Sequence, residues 1–144
     1  MFQRIVVVYS ESLESRRALT SAIQLAKTFQ AELHAAITMH DLPAYTAYAT
    51  AADPSLVRVL DDDRRALYEE MKATVREIAE REGVELRTEL VADDEVDAVV
   101  QLLYRSRADL LVIGLHRQTS HISRLWSRVF EIAQNAPCSV LGVH

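Results

Sequence analysis

Apolar and polar positions along the chain switch repeatedly between a strand period and a helix period. Arg4–Tyr9 is nearly all β-branched and reads as a strand covered on both faces. Ser12 is placed to cap a helix in which Ala18, Leu19, Ala22, Ile23 and Ala26 recur at three- and four-residue spacing, one apolar stripe for one sheet face. Glu32–Met39 reads as a second strand. From Asp41 to Pro54 the period dissolves into alanines, tyrosines and threonines with two prolines, and the segment is expected to be a mobile connection or lid.

A long helix is expected over Ser55–Glu82. Leu56, Leu60, Leu67, Met71, Val75 and Ile78 mark its buried face, and Gly83 supplies its C-terminal cap. Asp61, Asp62 and Asp63 are adjacent helical residues and point in different directions. They read as a solvated face balanced by Arg64 and Arg65 rather than as a metal site.

Val84–Val91 alternates, with Val84, Leu86, Thr88 and Leu90 on one side and Glu85, Arg87 and Glu89 on the other. That suits an edge strand with one wet side. Asp93 or Asp94 can cap the next helix, whose stripe is Val96, Val99, Val100, Leu103 and Tyr104. Asp109–Gly114 reads as a buried aliphatic strand. A polar stretch, Leu115–His121, leads to a helix with Ile122, Leu125, Trp126, Val129 and Ile132 on one face. Pro137 stops that helix, and Ser139–Val143 is the last strand.

This alternation predicts a three-layer α/β fold with a parallel sheet, formed by a single domain over residues 1–144. Ligands of open parallel sheets sit beyond the carboxyl ends of the strands, where the strand order reverses. The candidate segments are therefore Tyr9–Ser12, Thr38–Asp41 and Gly114–Ser127.

Composition narrows the function. Apolar residues make up 49% and charged residues 26% of the 144, as in ordinary globular proteins. The formal charge of −5 argues against nucleic acid or an anionic membrane surface as the main partner. No apolar run approaches the roughly 20 residues that a bilayer requires. Ile5–Val8 is too short for a signal-peptide core, so no leader is expected. The lone cysteine, Cys138, cannot form an internal disulfide, and a reducing cytoplasm is the expected location. The three glycines, Gly83, Gly114 and Gly142, leave few places for a loop whose backbone amides wrap a phosphate.

The chain resembles the universal stress protein family along essentially its whole length. The resemblance rests on Arg4–Val8, on Ser12–Lys27 ending in Leu25-Ala26-Lys27, and on Ala31-Glu32-Leu33. Its most specific parts are Ala108-Asp109-Leu110-Leu111-Val112-Ile113-Gly114-Leu115-His116 and Ala136-Pro137-Cys138-Ser139-Val140-Leu141. It implies a Rossmann-like, five-stranded sheet in the order 3-2-1-4-5 and homodimers formed through the last strand. It also implies that some members bind ATP. Those members carry an Asp ending strand one, and a Gly-x-x-Gly turn followed by a Gly-Ser/Thr pair after strand four. Glycines bring amides to the phosphates, a helix N-terminus adds its dipole, and the Asp accepts from the ribose.

Here Gly114 matches the first glycine, and Ser127 matches the hydroxyl. Arg117 stands at the second glycine and Trp126 at the third, while Ser10 replaces the Asp and Glu11 the glycine after it. A tryptophan obstructs the place where backbone meets phosphate, and Glu11 repels a triphosphate. These substitutions argue against conventional ATP binding, and no cofactor is expected.

One feature favours an anion. Between Gly114 and Arg128 lie Arg117, Arg124, Arg128, His116 and His121, with no Asp or Glu. Arginine can replace backbone amides as a phosphate holder. The plainer account is a solvated surface, and Trp126 fits the apolar stripe of its helix better than an adenine platform. The alternative to an ATP-free module is thus a nucleotide or small-anion sensor for ATP or AMP. In it Ser10, Gly114, His116, Arg117 and Ser127 hold the anion, Thr38 and Met39 flank the base, and the 41–54 segment closes over the ligand.

Enzyme signatures are missing: there is no Gly-x-Ser-x-Gly elbow, no P-loop and no GxGxxG turn. His116 and His121 lack the spacing of a helical zinc pair. His34 and His40 belong to strand two, and Cys138 has no evident base, so no catalytic or metal site is expected. In the last strand Val140, Leu141 and Val143 are apolar on both faces. The resemblance makes that strand an edge, and an apolar edge invites pairing with a second copy.

Overall fold

The structure, a computed structural model, describes residues 1–39, 45–92, 96–115 and 122–144; for residues 45–47, 92 and 122–127 the description covers the backbone alone. Five strands, β1 (Arg4–Tyr9), β2 (Glu32–Met39), β3 (Leu86–Ala92), β4 (Leu110–Gly114) and β5 (Ser139–Val143), form one sheet in the order β3-β2-β1-β4-β5. All four pairings are parallel, with Val7 opposite both Ala35 and Val112 at the centre. The helices are α1 (Leu13–Phe29), α2 (Tyr45–Ala52), α3 (Ser55–Arg81), α4 (Val96–Ser106) and α5 (Ile122–Asn135).

The inner strands β1, β2 and β4 bury both faces, as their continuous apolar runs require. On one face Ile5, Val7, Leu33, Ile37 and Val112 pack beneath Leu19 and Ile23 of α1 and Met71 and Val75 of α3. On the other, Val6, Ala36 and Leu111 pack beneath Val99 and Leu103 of α4 and Ile132 of α5. Each large aliphatic side chain withdrawn from water contributes about 1.5–3 kcal/mol, so these two layers supply most of the drive to fold. The stripe expected in α1 is buried in full: Ala18, Leu19, Ala22, Ile23 and Ala26 are at most 2% exposed.

Helix ends follow local chemistry. The Ser12 side chain accepts from the Ser15 amide, as expected of an N-cap. Asp53 accepts from the Ser55 amide and hydroxyl just before α3, and these bonds hold its carboxyl below the usual range. α3 closes at Gly83, in the left-handed region at φ 72°, with Val84 N–H donating to Ala79 O at 3.0 Å. Gln30 and Arg107 make the same closure after α1 and α4 at φ 53° and 50°, without a glycine to mark it in the sequence.

Several expectations need correction. Residues 45–52 of the connection form α2. An alanine-rich stretch forms a helix without an apolar stripe because alanine gives up so little entropy there; residues 41–44 lie outside the described part. Leu56 and Leu60 are only partly covered, because α3 meets the sheet through Met71, Val75 and Ala79 in its second half. Tyr104 is 58% exposed, and Leu102 takes its place in the core. β3 begins at Leu86 rather than Val84, and near its end the wet and dry sides exchange: Leu90 is exposed and Val91 lies under α4. β4 begins one residue later than expected. Asp109 instead clamps β1, accepting from the Gln3 and Arg4 amides at 2.8 and 3.0 Å. The caps expected at Asp93 or Asp94 lie outside the described residues.

Candidate functional site

The strand order reverses at β1, which lies between β2 and β4, so the crevice beyond the carboxyl ends of these strands is the candidate site. Its floor is the β1–α1 turn. There Ser10 N–H donates to Ser15 Oγ at 3.1 Å, and the Ser15 hydroxyl returns to the Ser10 and Ser12 carbonyls at 2.6 and 2.9 Å. Ser10 Oγ lies 3.2 Å from Ser12 Oγ, which in turn accepts from Ser15 N–H. The serines therefore satisfy one another and fix the start of α1. Glu11 is exposed in the turn and Glu14 sits in the first turn of the helix, where carboxylates complement the dipole. The same charges oppose a phosphate.

Gly114 ends β4 against this turn. A Cβ built on it would fall 2.6 Å from the Glu14 carbonyl carbon and 2.8 Å from Ser15 N. The glycine thus has a packing role whether or not a ligand is present. The next residue, Leu115, donates its amide to Val143 O at 2.7 Å, and its side chain lies over Gly142, where an added Cβ would come 2.5 Å from Leu115 Cδ1.

Of the other candidates, Thr38 and Met39 are both 6% exposed. Met39 belongs to the core beneath α1 and α3, and Thr38 Oγ1 is 3.5 Å from the Tyr9 carbonyl oxygen. His116, Arg117 and His121 lie outside the described residues. Ser127, Trp126 and Arg124 fall in the part of α5 described by its backbone alone. The structure thus brings together Ser10, the start of α1 and Gly114. Sequence reasoning missed the Glu14–Gly114 approach and the cover that Leu115 gives Gly142, because neither residue type announces a contact across elements.

Among the described residues no group of three or more His, Cys, Asp or Glu side chains is placed to hold a metal. No helix among them is long and apolar enough to cross a membrane. Cys138, immediately before β5, is half-buried. Burial, and secondarily the Asp109 carboxylate, push its thiol up, against a smaller opposing effect of a hydrogen bond from the Leu111 backbone.

A five-stranded parallel sheet in this order, with helices on both faces, defines a Rossmann-like α/β protein. Within that class, the sequence profile of the universal stress protein family matches residues 1–144, and the chain belongs to that family. It is 29% identical over 146 residues to Universal stress protein MJ0531 of Methanocaldococcus jannaschii, covering 99% of this chain and 82% of that protein. A universal stress protein family structure from Burkholderia pseudomallei is similar with TM-score 0.71 and 25% identity, over 97% of this chain and 94% of that one. A universal stress protein solved in complex with cAMP is similar with TM-score 0.70 and 26% identity, over 99% and 97%.

Proposed function

We propose that this chain is a dimeric, non-enzymatic interaction module of the stress response, located in the cytoplasm, which does not hold ATP in a glycine cradle. The observation that carries this reading is the seating of Gly114 on the backbone of Glu14 and Ser15. The one glycine left from the phosphate-binding pattern is accounted for by packing. Beside it the serines bond to each other and Glu11 adds negative charge. Arg117 and Trp126 in place of the remaining glycines act in the same direction. The acidic balance of the chain points to protein partners rather than nucleic acid or membrane.

A second reading is favoured by the relative solved with cAMP and by the hydroxyl-lined turn at the start of α1. In it the chain senses AMP, ATP or a related nucleotide. Arg117 and Ser127 with Ser10 hold the phosphate, and Thr38 and Met39 move to flank the base.

Calorimetry with ATP, ADP, AMP and cAMP separates the two. An absence of saturable heat at millimolar nucleotide supports the first. Saturable heat that Arg117→Ala weakens by about 1.5–3 kcal/mol, the cost of one charged hydrogen bond, establishes the second.

A further inference from the structure

The sheet is open at β3 as well as at β5. β3 pairs with β2 on one side, and among the described residues no strand pairs its other side. An open edge either carries devices that prevent pairing or serves as a template for another strand. The side chains of β3 decide between these.

Leu86, Thr88 and Leu90 share the sheet face under α3, where the Thr88 hydroxyl lies 3.4 Å from the Tyr68 hydroxyl. Arg87 and Glu89 share the face under α4, where Glu89 Oε1 accepts from Arg105 Nη2 at 2.8 Å. Three groups on this edge are left unfulfilled. Leu90 is 44% exposed. Arg87 is exposed, and among the described residues no carboxylate lies within ion-pair distance of it. Glu89 Oε2 is 3.7 Å from His34 Nε2, too far for a hydrogen bond, so it can accept from a further donor.

A second copy of β3 supplies what each lacks. Opposed residues of two antiparallel strands share a sheet face, so a two-fold axis between identical strands passes through a residue position. With the axis at Thr88, Arg87 lies opposite Glu89 of the second copy, twice over. Leu90 lies opposite its Leu86, also twice, and the two threonines meet on the axis. All three are favourable cross-strand pairs. Moving the axis to Arg87 opposes two arginines, and Glu85 to Glu89. Moving it to Glu89 opposes two glutamates. Like charges directly opposite are destabilising, so the charge order along β3 selects Thr88 over either neighbour.

The helices leave room for this pairing. α3 packs across both β2 and β3. Its two copies would therefore stand about 10 Å apart, two strand spacings, which is an ordinary distance for packed helices.

We propose that β3 pairs antiparallel with β3 of a second copy about a two-fold axis at Thr88. This contact lies at the opposite edge of the sheet from β5 and does not depend on pairing there.

Leu141→Glu, which sets like charges across any β5 pairing, supplies the background in which association through β3 is read alone. Sedimentation of that chain into the hundreds of micromolar should show a dimer. Adding Arg87→Glu should weaken it by at least about fivefold, because carboxylates then oppose each other. Oxidation reads the register. Opposed Cα atoms in antiparallel strands are about 4.5–5.5 Å apart, within disulfide reach. With Cys138→Ser removing the natural thiol, Thr88→Cys should form an inter-chain disulfide on the axis. Leu90→Cys should not, since the two copies of residue 90 stand four residue steps, about 13 Å, apart. The proposal is overturned if the Leu141→Glu chain stays monomeric, if adding Arg87→Glu leaves association unchanged, or if Leu90→Cys cross-links as fast as Thr88→Cys.

Discussion

Gly114 and Glu14 meet backbone to backbone: a side chain on Gly114 would enter the first turn of α1, with its Cβ 2.6 Å from the Glu14 carbonyl carbon. Neither partner is a flexible side-chain tip, so the collision can be relieved only by moving α1 away from β4. Gly114→Ala should therefore destabilise the ligand-free protein by about 1–3 kcal/mol, the usual range for overpacking a tight contact. Urea unfolding measures this directly. Wild-type stability in that variant would mean that Gly114 is kept for a ligand, and would remove the main support for an ATP-free module.

The three helix closures at the amino edge give a second test. Gly83, Gln30 and Arg107 all hold positive φ, and an L side chain there costs about 1–2 kcal/mol. Gly83→Ala should lose about 1 kcal/mol through backbone strain alone, since nothing lies within 4 Å of the added Cβ. Gln30→Gly and Arg107→Gly should each gain a few tenths to about 1 kcal/mol, less whatever the extra freedom of the unfolded chain takes back. Thermal or urea midpoints read all three, and opposite signs at Gly83 and Arg107 are the diagnostic result.

His34 on β2 has a side chain 21% exposed, with its Nε2 3.7 Å from a Glu89 oxygen. Glu89 also accepts from Arg105 Nη2 at 2.8 Å. Burial holds His34 below its ordinary pKa of 6.5; Glu89 opposes that shift, while Arg87 and Arg105 reinforce it. The unfolded chain therefore takes up a proton on this side chain before the folded chain does. The contribution of His34 to stability is fully present above about pH 6.5 and is lost as pH falls through the folded pKa. His34→Gln should flatten the decline in urea midpoint between about pH 7.5 and 5.5. Arg105→Ala should move the His34 titration upward in an NMR pH series, by removing a cation and freeing Glu89. A downward movement would contradict the ion-pair geometry.

Cys138 offers a chemical check on the same structure. Its thiol is pushed up mainly by burial, and the thiolate is the reactive form. At neutral pH a thiol reagent should label it at least about threefold more slowly than a free cysteine, with urea restoring the ordinary rate. Asp109→Asn should speed labelling slightly by removing the nearby negative charge. It should also lower stability, since Asp109 accepts from two amides at the start of β1.

Much of the fold is legible in the pattern of residues, for identifiable reasons. β1 and α1 are visible because a run of β-branched residues and a five-residue stripe each have a single good burial solution, and both lie where expected. Leu102 and Tyr104 both lie close to the stripe of α4, and only the position of the sheet beneath selects Leu102. α2 carries no apolar period at all, so alanine propensity decides it. In the site, the identity of Ser10, Gly114 and their neighbours is readable. What holds Gly114 is not, because the contact joins residues 100 positions apart through backbone atoms.

The edge strand β5 carries the last prediction. It pairs with β4 on one side only, and among the described residues no strand pairs its other side. Val140 packs against the core cluster of the α4 and α5 face and Val143 against that of the α1 face, so both anchor the strand, whereas Leu141 remains 38% exposed. An apolar edge of this kind is a template for a second copy, and a two-fold axis beside β5 would pair it with itself and cover Leu141. Leu141→Glu places two like charges across such an axis without removing a fully buried side chain. Sedimentation should show a dimer for the unaltered chain at micromolar concentration, and at least about a tenfold weaker one for the variant, with unchanged thermal stability of the monomer. If the unaltered chain sediments as a monomer, or if Leu141→Glu dimerises equally well, β5 is not the contact.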